Sequence, residues 1–358
     1  MGILDFLVQN YVLLIMLAGL FLITLFDVYL DKSMIIKLKI VLGLILALTI
    51  FDTLEKNAGN LESFTYWRIP LSVICYTLRP TIIMMLVFIV RPKISKAIVI
   101  PAVINFLIVS TAFFTDIAFS FDQISNHFYR GPLGYITYIV TVFYILTIYY
   151  VTIRVITARL REEGIVMIFI TITATIAVVI SFNGYDEVVN LTYASNVLLY
   201  YMYLYAQYTK HDPLTSVYNR QTFQSDLKKR YKMITGIISV DLNDLKYMND
   251  NQGHLSGDEA LITISRIFCE AATKKERVYR IGGDEFAIIC WMRKPDEMEK
   301  LVDDIRKSVE KSGYSIAIGL SYGKSVDEML VEADKLMYVD KARIKKELKA
   351  KGIVHIRQ

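Results

Sequence analysis

This sequence is poor in cysteine and in flexible linkers and carries little net charge, and each shortage excludes something. The three cysteines, Cys75, Cys269 and Cys290, are scattered. Their spacing offers neither a disulfide framework nor a zinc motif, which suits a reducing compartment for the C-terminal part. No Gly/Ser-rich or Pro-rich stretch separates one part of the chain from another, so its parts are joined with little slack. The formal charge is only +5. Basic residues gather in loops beside apolar runs and near the C-terminus, so nucleic acid is not an expected partner.

Hydrophobic residues make up 54% of the chain, yet 21% of it is charged. The two values agree only if apolar and polar residues are segregated, and they are. Residues 1–208 hold most of the long apolar runs, and 209–358 read as a soluble α/β domain. Seven apolar segments follow one another at about 6–26, 34–53, 69–90, 97–115, 135–155, 165–182 and 190–208. Each is near the ~20 residues that cross a bilayer as a helix. They lack the polar faces of helices in a soluble bundle. The first has no basic n-region and reads as a retained anchor, not a cleaved signal peptide. An all-α seven-helix transmembrane bundle is expected, with the lipid bilayer as its partner.

Loop charges orient the bundle. Lys32, Lys37 and Lys39 follow segment one, Arg91, Lys93 and Lys96 follow segment three, and Arg154, Arg159 and Arg161 follow segment five. The alternate loops carry fewer: Lys56 and Arg68, then Arg130, then none in Asn183–Asn190. The N-terminus is expected outside and the C-terminal domain in the cytoplasm, as an odd number of spans requires. Arg79-Pro80 lies within segment three. With no acid evidently level with it, Arg79 is expected to meet carbonyls freed by a Pro80 kink. The run Tyr200–Tyr205, with Tyr208, reads as an aromatic belt at the interface. The outer loop from Thr115 to Gly134 is too short for a sensor domain, so any signal ligand binds among the helices or is the membrane itself.

The polar half opens with Asp212-Pro213-Leu214-Thr215 and Asn219-Arg220, before a helix over 222–231. An apolar β-rich run, 234–241, ends in Asp241, where open α/β sheets place ligand-binding groups. A dense polar stretch, 242–258, suggests a short helix, a glycine turn and a longer helix over about 255–272. Val278–Ile281 and Phe286–Cys290 read as strands joined by Gly282-Gly283-Asp284-Glu285, a turn with two carboxylates at its tip. Such a turn can hold a metal against a phosphate, or be an ordinary hairpin with an acidic tip. A helix over 296–311, a strand over 315–320 and a last helix from 326 complete the order.

Together, Asp212-Pro213-Leu214-Thr215 with Asn219-Arg220, Asp241-x-Asn243-x-Leu245-Lys246-x-x-Asn249-Asp250 with Gly253-His254 and Gly257-Asp258, Gly282–Phe286, and Ala333-Asp334-Lys335-Leu336-Met337-Tyr338-Val339-Asp340-Lys341 resemble the GGDEF domain of diguanylate cyclases. The resemblance covers residues 211–350. It implies a nucleotidyl-cyclase-like palm of α+β type with a central, mostly antiparallel sheet. It also implies a bacterial inner-membrane enzyme that joins two GTP into cyclic di-GMP and releases two pyrophosphates. On it, Asp241, Asp284 and the Leu242 backbone carbonyl hold Mg²⁺ (or Mn²⁺). Asp284 also accepts the 3′-hydroxyl proton, Glu285 supports the metal site and Lys246 stabilises the transition state. Asn249 and Asp258 read the guanine edge, and His254 contacts substrate. Lys341 and Lys345 meet the outer phosphates.

The sequence departs from that pattern in three places. Arg343-Ile344-Lys345-Lys346 stands where the family has Gly-Arg-Asn or similar, Asn243 replaces a frequent Asp, and the inhibitory Arg-x-x-Asp window reads Thr273-Lys274-Lys275-Glu276. Strong product inhibition through that window is not expected. Each such domain holds one GTP, so catalysis requires a homodimer. The competing expectations are an inactive module that binds GTP or a partner, and, more remotely, a transporter with a regulatory domain.

Overall fold

A computed structural model describes residues 3–27, 30–60, 65–122, 125–157, 161–182, 187–229 and 231–350. Arg159, residues 183–186 of the loop before the last apolar segment, Lys351, and the side chains of Arg154 and Arg161 lie outside that description. The chain divides into two compact units, Met1–Ala206 and Gln207–Gln358.

The first unit contains α1 (Ile3–Gln9), α2 (Tyr11–Phe26), α3 (Lys32–Gly59), α4 (Thr65–Val90), α5 (Ile100–Ser110), β1 (Phe119–Phe121), β2 (Phe128–Arg130), α6 (Ile136–Thr157), α7 (Arg161–Phe182) and α8 (Glu187–Tyr208). Helices occupy all seven expected stretches. Among the described residues, five helical stretches are long and apolar enough to cross a membrane: Lys32–Gly59, Tyr66–Val90, Lys96–Phe113, Ile136–Ile153 and Gly164–Phe182. The pair α1 and α2, bent by 78°, makes a sixth if counted as one span. The helix α8 falls short of that test because its tyrosines and its Asn190 and Asn196 dilute the apolar run.

Arg79 has an acid level with it on a neighbouring helix. It pairs with Asp52 of α3 at 3.1 Å, and the other Asp52 oxygen accepts from Asn190 Nδ2 of α8 at 2.8 Å. The Tyr76 carbonyl, which Pro80 deprives of its helical partner, accepts instead from Asn105 Nδ2 at 3.0 Å. One acid on a neighbouring helix, Asp52, therefore answers Arg79, although none is evidently level with it in the sequence. The tyrosine run also divides. Tyr200 and Tyr201 are buried, with Tyr201 donating to Asp27 at 2.7 Å, whereas Met202, Tyr205 and Tyr208 face outward.

The second unit contains β3 (Tyr218–Asn219), α9 (Arg220–Lys229), β4 (Ile234–Leu242), α10 (Leu245–Gln252), α11 (His254–Ala271), β5 (Glu276–Arg280), β6 (Glu285–Trp291), α12 (Pro295–Lys311), β7 (Ile316–Tyr322) and α13 (Val326–Ala350). The strand order is β3-β5-β6-β4-β7. The short β3 pairs parallel to β5 and the other neighbours are antiparallel, so the sheet is mixed. β4 is buried on both faces, which is why it reads as a continuous apolar run. Ile238, Val240 and Leu242 join Ile264, Phe268 and Ile305 in one core, while Ile237 joins Tyr279, Met329 and Ala333 in another.

α13 lies directly on β7. A Cβ at Gly319 would stand 2.2 Å from the Ala333 carbonyl, so only glycine permits that approach. Ser239 of β4 donates to Asp334 at 2.6 Å, seating the same helix from the sheet centre.

Candidate functional site

The site is built at one end of β4 and β6. Their register sets Asp241 opposite Glu285, and the Leu242 N–H donates to the Asp284 carbonyl at 3.0 Å. The turn before β6 is closed by Ile281 and Gly282 N–H groups donating to the Glu285 carbonyl at 2.9 and 3.3 Å. A Cβ at Gly282 would stand 2.6 Å from Glu285 Oε2, so the glycine makes room for the folded-back carboxylate. Asp241 is almost fully buried. Burial pushes its carboxyl up and the Asp284 charge adds to that, while Lys341 and Lys345 pull down without cancelling it. Lys341 Nζ donates to Asp241 Oδ1 at 2.6 Å. The lysine expected at the outer phosphates therefore stands on the buried acid.

The turn has a support that the sequence reading missed. Arg280 donates to the Gly283 carbonyl at 2.8 and 3.2 Å and to Asp212 Oδ1 at 3.1 Å. Asp212 also accepts from the Thr215 N–H at 2.9 Å and hydroxyl at 2.6 Å. Burial raises this carboxyl, but the Thr215 and Arg280 donors more than offset it and hold it below the usual range. The Asp212–Thr215 turn thus fastens the acidic turn from outside. The Asp-x-x-Thr spacing of an Asx turn beside an arginine two residues before Gly282 was the available signal.

The other candidates sit on the strand-to-helix excursion after β4. Asp244, at φ +59°, starts α10, which carries the exposed Lys246 in its first turn and Asn249 one turn later. α10 meets α11 through Gly257, where a Cβ would lie 2.0 Å from Asn249 Oδ1. The Asn249 side chain therefore rests beside the backbone that leads into Asp258. His254 opens α11 and is exposed. Asn243 turns to Ser315, donating to its hydroxyl at 2.9 Å.

Glu276, at the end of the Thr273–Glu276 window, is buried and already committed. It accepts from the Thr273 N–H and hydroxyl, both at 2.7 Å, and from Arg293. Burial raises its carboxyl, but Arg293 and Thr273 more than offset it and leave it below the usual range.

The donors at Asp241 and Asp284 are hard oxygens, suited to Mg²⁺. Among the described residues no three His, Cys, Asp or Glu side chains converge to hold a metal alone. Two carboxylates and a backbone carbonyl fit a Mg²⁺ whose remaining ligands are phosphate and water.

A family model described as "Diguanylate cyclase, GGDEF domain" matches residues 209–347. Residues 209–347 are a GGDEF domain. Diguanylate cyclase DgcN of Escherichia coli (strain K12) is 28% identical over 137 residues, 35% of this chain and 34% of that protein. Diguanylate cyclase VdcA of Vibrio cholerae is 29% identical over 147 residues, 36% of this chain and 42% of that protein. An uncharacterized membrane protein of Staphylococcus epidermidis is 26% identical over 173 residues, 42% of this chain and 49% of that protein. The chain thus matches less than half the length of each of these relatives. The solved GGDEF domain of TpbB (YfiN) from Pseudomonas aeruginosa is 26% identical, covers 37% of this chain and 89% of that one, and has a TM-score of 0.34. Here the GGDEF domain follows a helical region with about five candidate spans.

Proposed function

We propose that this chain is a membrane-bound diguanylate cyclase that condenses two GTP into cyclic di-GMP with release of two pyrophosphates. The observation that supports the reading is Asp241 at the end of β4, opposite Glu285 and within reach of the Asp284 charge, with Lys341 and Lys345 beside it. Asn249 and Asp258 hold the guanine edge, and an aspartate there accepts from N1–H and the 2-amino group, which adenine cannot offer. Asp284 takes the proton of the attacking 3′-hydroxyl, and Glu285 supports the acid pair. Lys246, Lys341 and Lys345 meet negative charge on the phosphates, and His254 contacts the substrate. Asp241, Asp284 and the Leu242 carbonyl would hold Mg²⁺, which supplies Lewis-acid stabilisation of the phosphates. Each domain carries one GTP, so two copies face each other about a two-fold axis.

The membrane region regulates this dimer. α8 is the seventh span, the N-terminus lies outside and the GGDEF domain lies in the cytoplasm. Asn190 joins α8 to the Asp52–Arg79 pair, and Asn190 Oδ1 is buried with no hydrogen-bond partner among the described residues. An open buried acceptor on the helix that runs on into the enzyme is a natural point for an input to act. The test of the enzymatic reading is nucleotide-dependent pyrophosphate release. The full chain in liposomes with Mg²⁺ is expected to release pyrophosphate from GTP and not from ATP. No release from GTP would overturn it.

A further inference from the structure

α13 carries Lys341, Arg343, Lys345, Lys346 and Lys349 within a short distance, yet an α-phosphoryl transfer needs only a few cations at defined places. Asp340 sorts them. Its Oδ2 accepts from Arg306 of α12 at 2.7 Å and from the main-chain N–H of Ile318 at 3.0 Å. Its Oδ1 accepts from Arg343 at 2.8 and 3.3 Å. β7 is the edge strand of the sheet, so Asp340 occupies an edge N–H that would otherwise stand open. Burial raises the Asp340 carboxyl, but Arg343, Ile318 and Arg306 more than offset that and hold it below the usual range.

The next residue, Lys341, projects about 100° further round the helix. With Asp340 fixed to β7 and α12, Lys341 is delivered to Asp241 at the end of β4. Lys345 follows one turn later on the same face, and its charge is felt at Asp241. Arg343, by contrast, is bracketed by Asp340 and by Glu347 at 2.9 Å. The contacts at Gly319 and Asp334 seat the earlier part of α13, and Asp340 fixes the part that carries the lysines.

We infer that Asp340 is a positioning residue of the nucleotide site: it locks α13 to β7 and withdraws Arg343, so that Lys341 and Lys345 are the cations presented to the β- and γ-phosphates. This rests on the proposed cyclase reading, and the experiment separates the two. The full chain in liposomes is titrated with an α,β-methylene GTP analogue, which cannot turn over, and with GMP, which lacks the outer phosphates. Asp340→Ala is expected to weaken the analogue about tenfold and to leave GMP within about twofold. Asp340→Asn, which keeps one accepting oxygen and puts an NH2 donor in place of the other, is expected to recover part of the loss. A merely structural residue would weaken both nucleotides together. Equal loss for both, or loss for neither, overturns the inference while leaving the cyclase reading in place. If Asp340→Ala does not fold, Asp340→Asn decides: about threefold weaker analogue binding at unchanged GMP affinity supports the inference, and wild-type values overturn it. A wild-type chain that binds neither nucleotide overturns the cyclase reading and this inference with it.

Discussion

At the scale of single residues, Glu276 shows how a substitution within a motif acquires its own chemistry. Its carboxylate is enclosed and fully occupied by Thr273 and Arg293, so it is a structural acid with no capacity left for a dinucleotide. Glu276→Ala leaves Arg293 with Glu297 alone, at 3.5 Å, and the lost Thr273 and Arg293 bonds are expected to destabilise the domain by about 2 kcal/mol, while any inhibition by cyclic di-GMP is unchanged. Because the Glu276 carboxyl is held below its ordinary value of 4.5, its stabilisation is fully present above that pH. It is lost as pH falls through the depressed folded value. Thermal melting of wild type and variant should therefore converge in acid; a constant gap across that range, or inhibition abolished by the substitution, would contradict this assignment. The residues proposed to carry the chemistry, from Asp241 to Lys345, stand in runs that each have their own pattern of type and spacing. Lys341 on Asp241, Arg280 on Asp212, and Asp340 on Ile318 are contacts across 22 to 100 residues of chain, and apart from the Asx-turn spacing at Asp212 nothing local points to them.

At the scale of elements, the boundaries of the C-terminal helices and strands followed closely from periodicity. α12 and β7 begin within a residue of their expected starts, because Lys294-Pro295 and the run from Ile316 are strong local signals. The parallel β3 was not foreseen, since two residues pairing with β5 leave no periodic trace. The acidic turn is the element on which the site depends most. An added methyl at Gly282 meets Glu285 Oε2 at 2.6 Å and, less closely, its Cβ at 3.2 Å, so the carboxylate can swing aside and the Cβ need shift only slightly. Gly282→Ala is accordingly expected to shift the melting point little and to lower cyclic di-GMP formation by about tenfold or more. Melting and turnover measured on the same preparation check this; a variant as active as wild type would show that the folded-back carboxylate is dispensable.

At the scale of the whole molecule, segregation of apolar and polar residues divides the chain at about residue 208, and the structure divides it into Met1–Ala206 and Gln207–Gln358. Segregation did not decide the number of spans. The bend between α1 and α2 and the polar content of α8 leave five clear spans where seven segments were read. Nor did it find the partner of Arg79, because Asp52 lies on a different helix and helix pairing is invisible to hydropathy. That ion pair with Asn190 ties α3, α4 and α8 together, and α8 runs without a linker into the GGDEF domain. Asp52→Asn weakens this tie and is expected to change the turnover of the full chain in liposomes several-fold, by about 1–2 kcal/mol of coupling, at unchanged GTP affinity. Turnover equal to wild type would remove the ion pair from the regulatory account.

The measurement that bears most directly on the central claim is the identity of the nucleotide product. The full chain in liposomes, given GTP and Mg²⁺, is expected to yield cyclic di-GMP with two pyrophosphates released per product, and Asp284→Asn is expected to yield none while remaining folded. GTP binding by the wild type without any dinucleotide product, or product formation undiminished in Asp284→Asn, would contradict it.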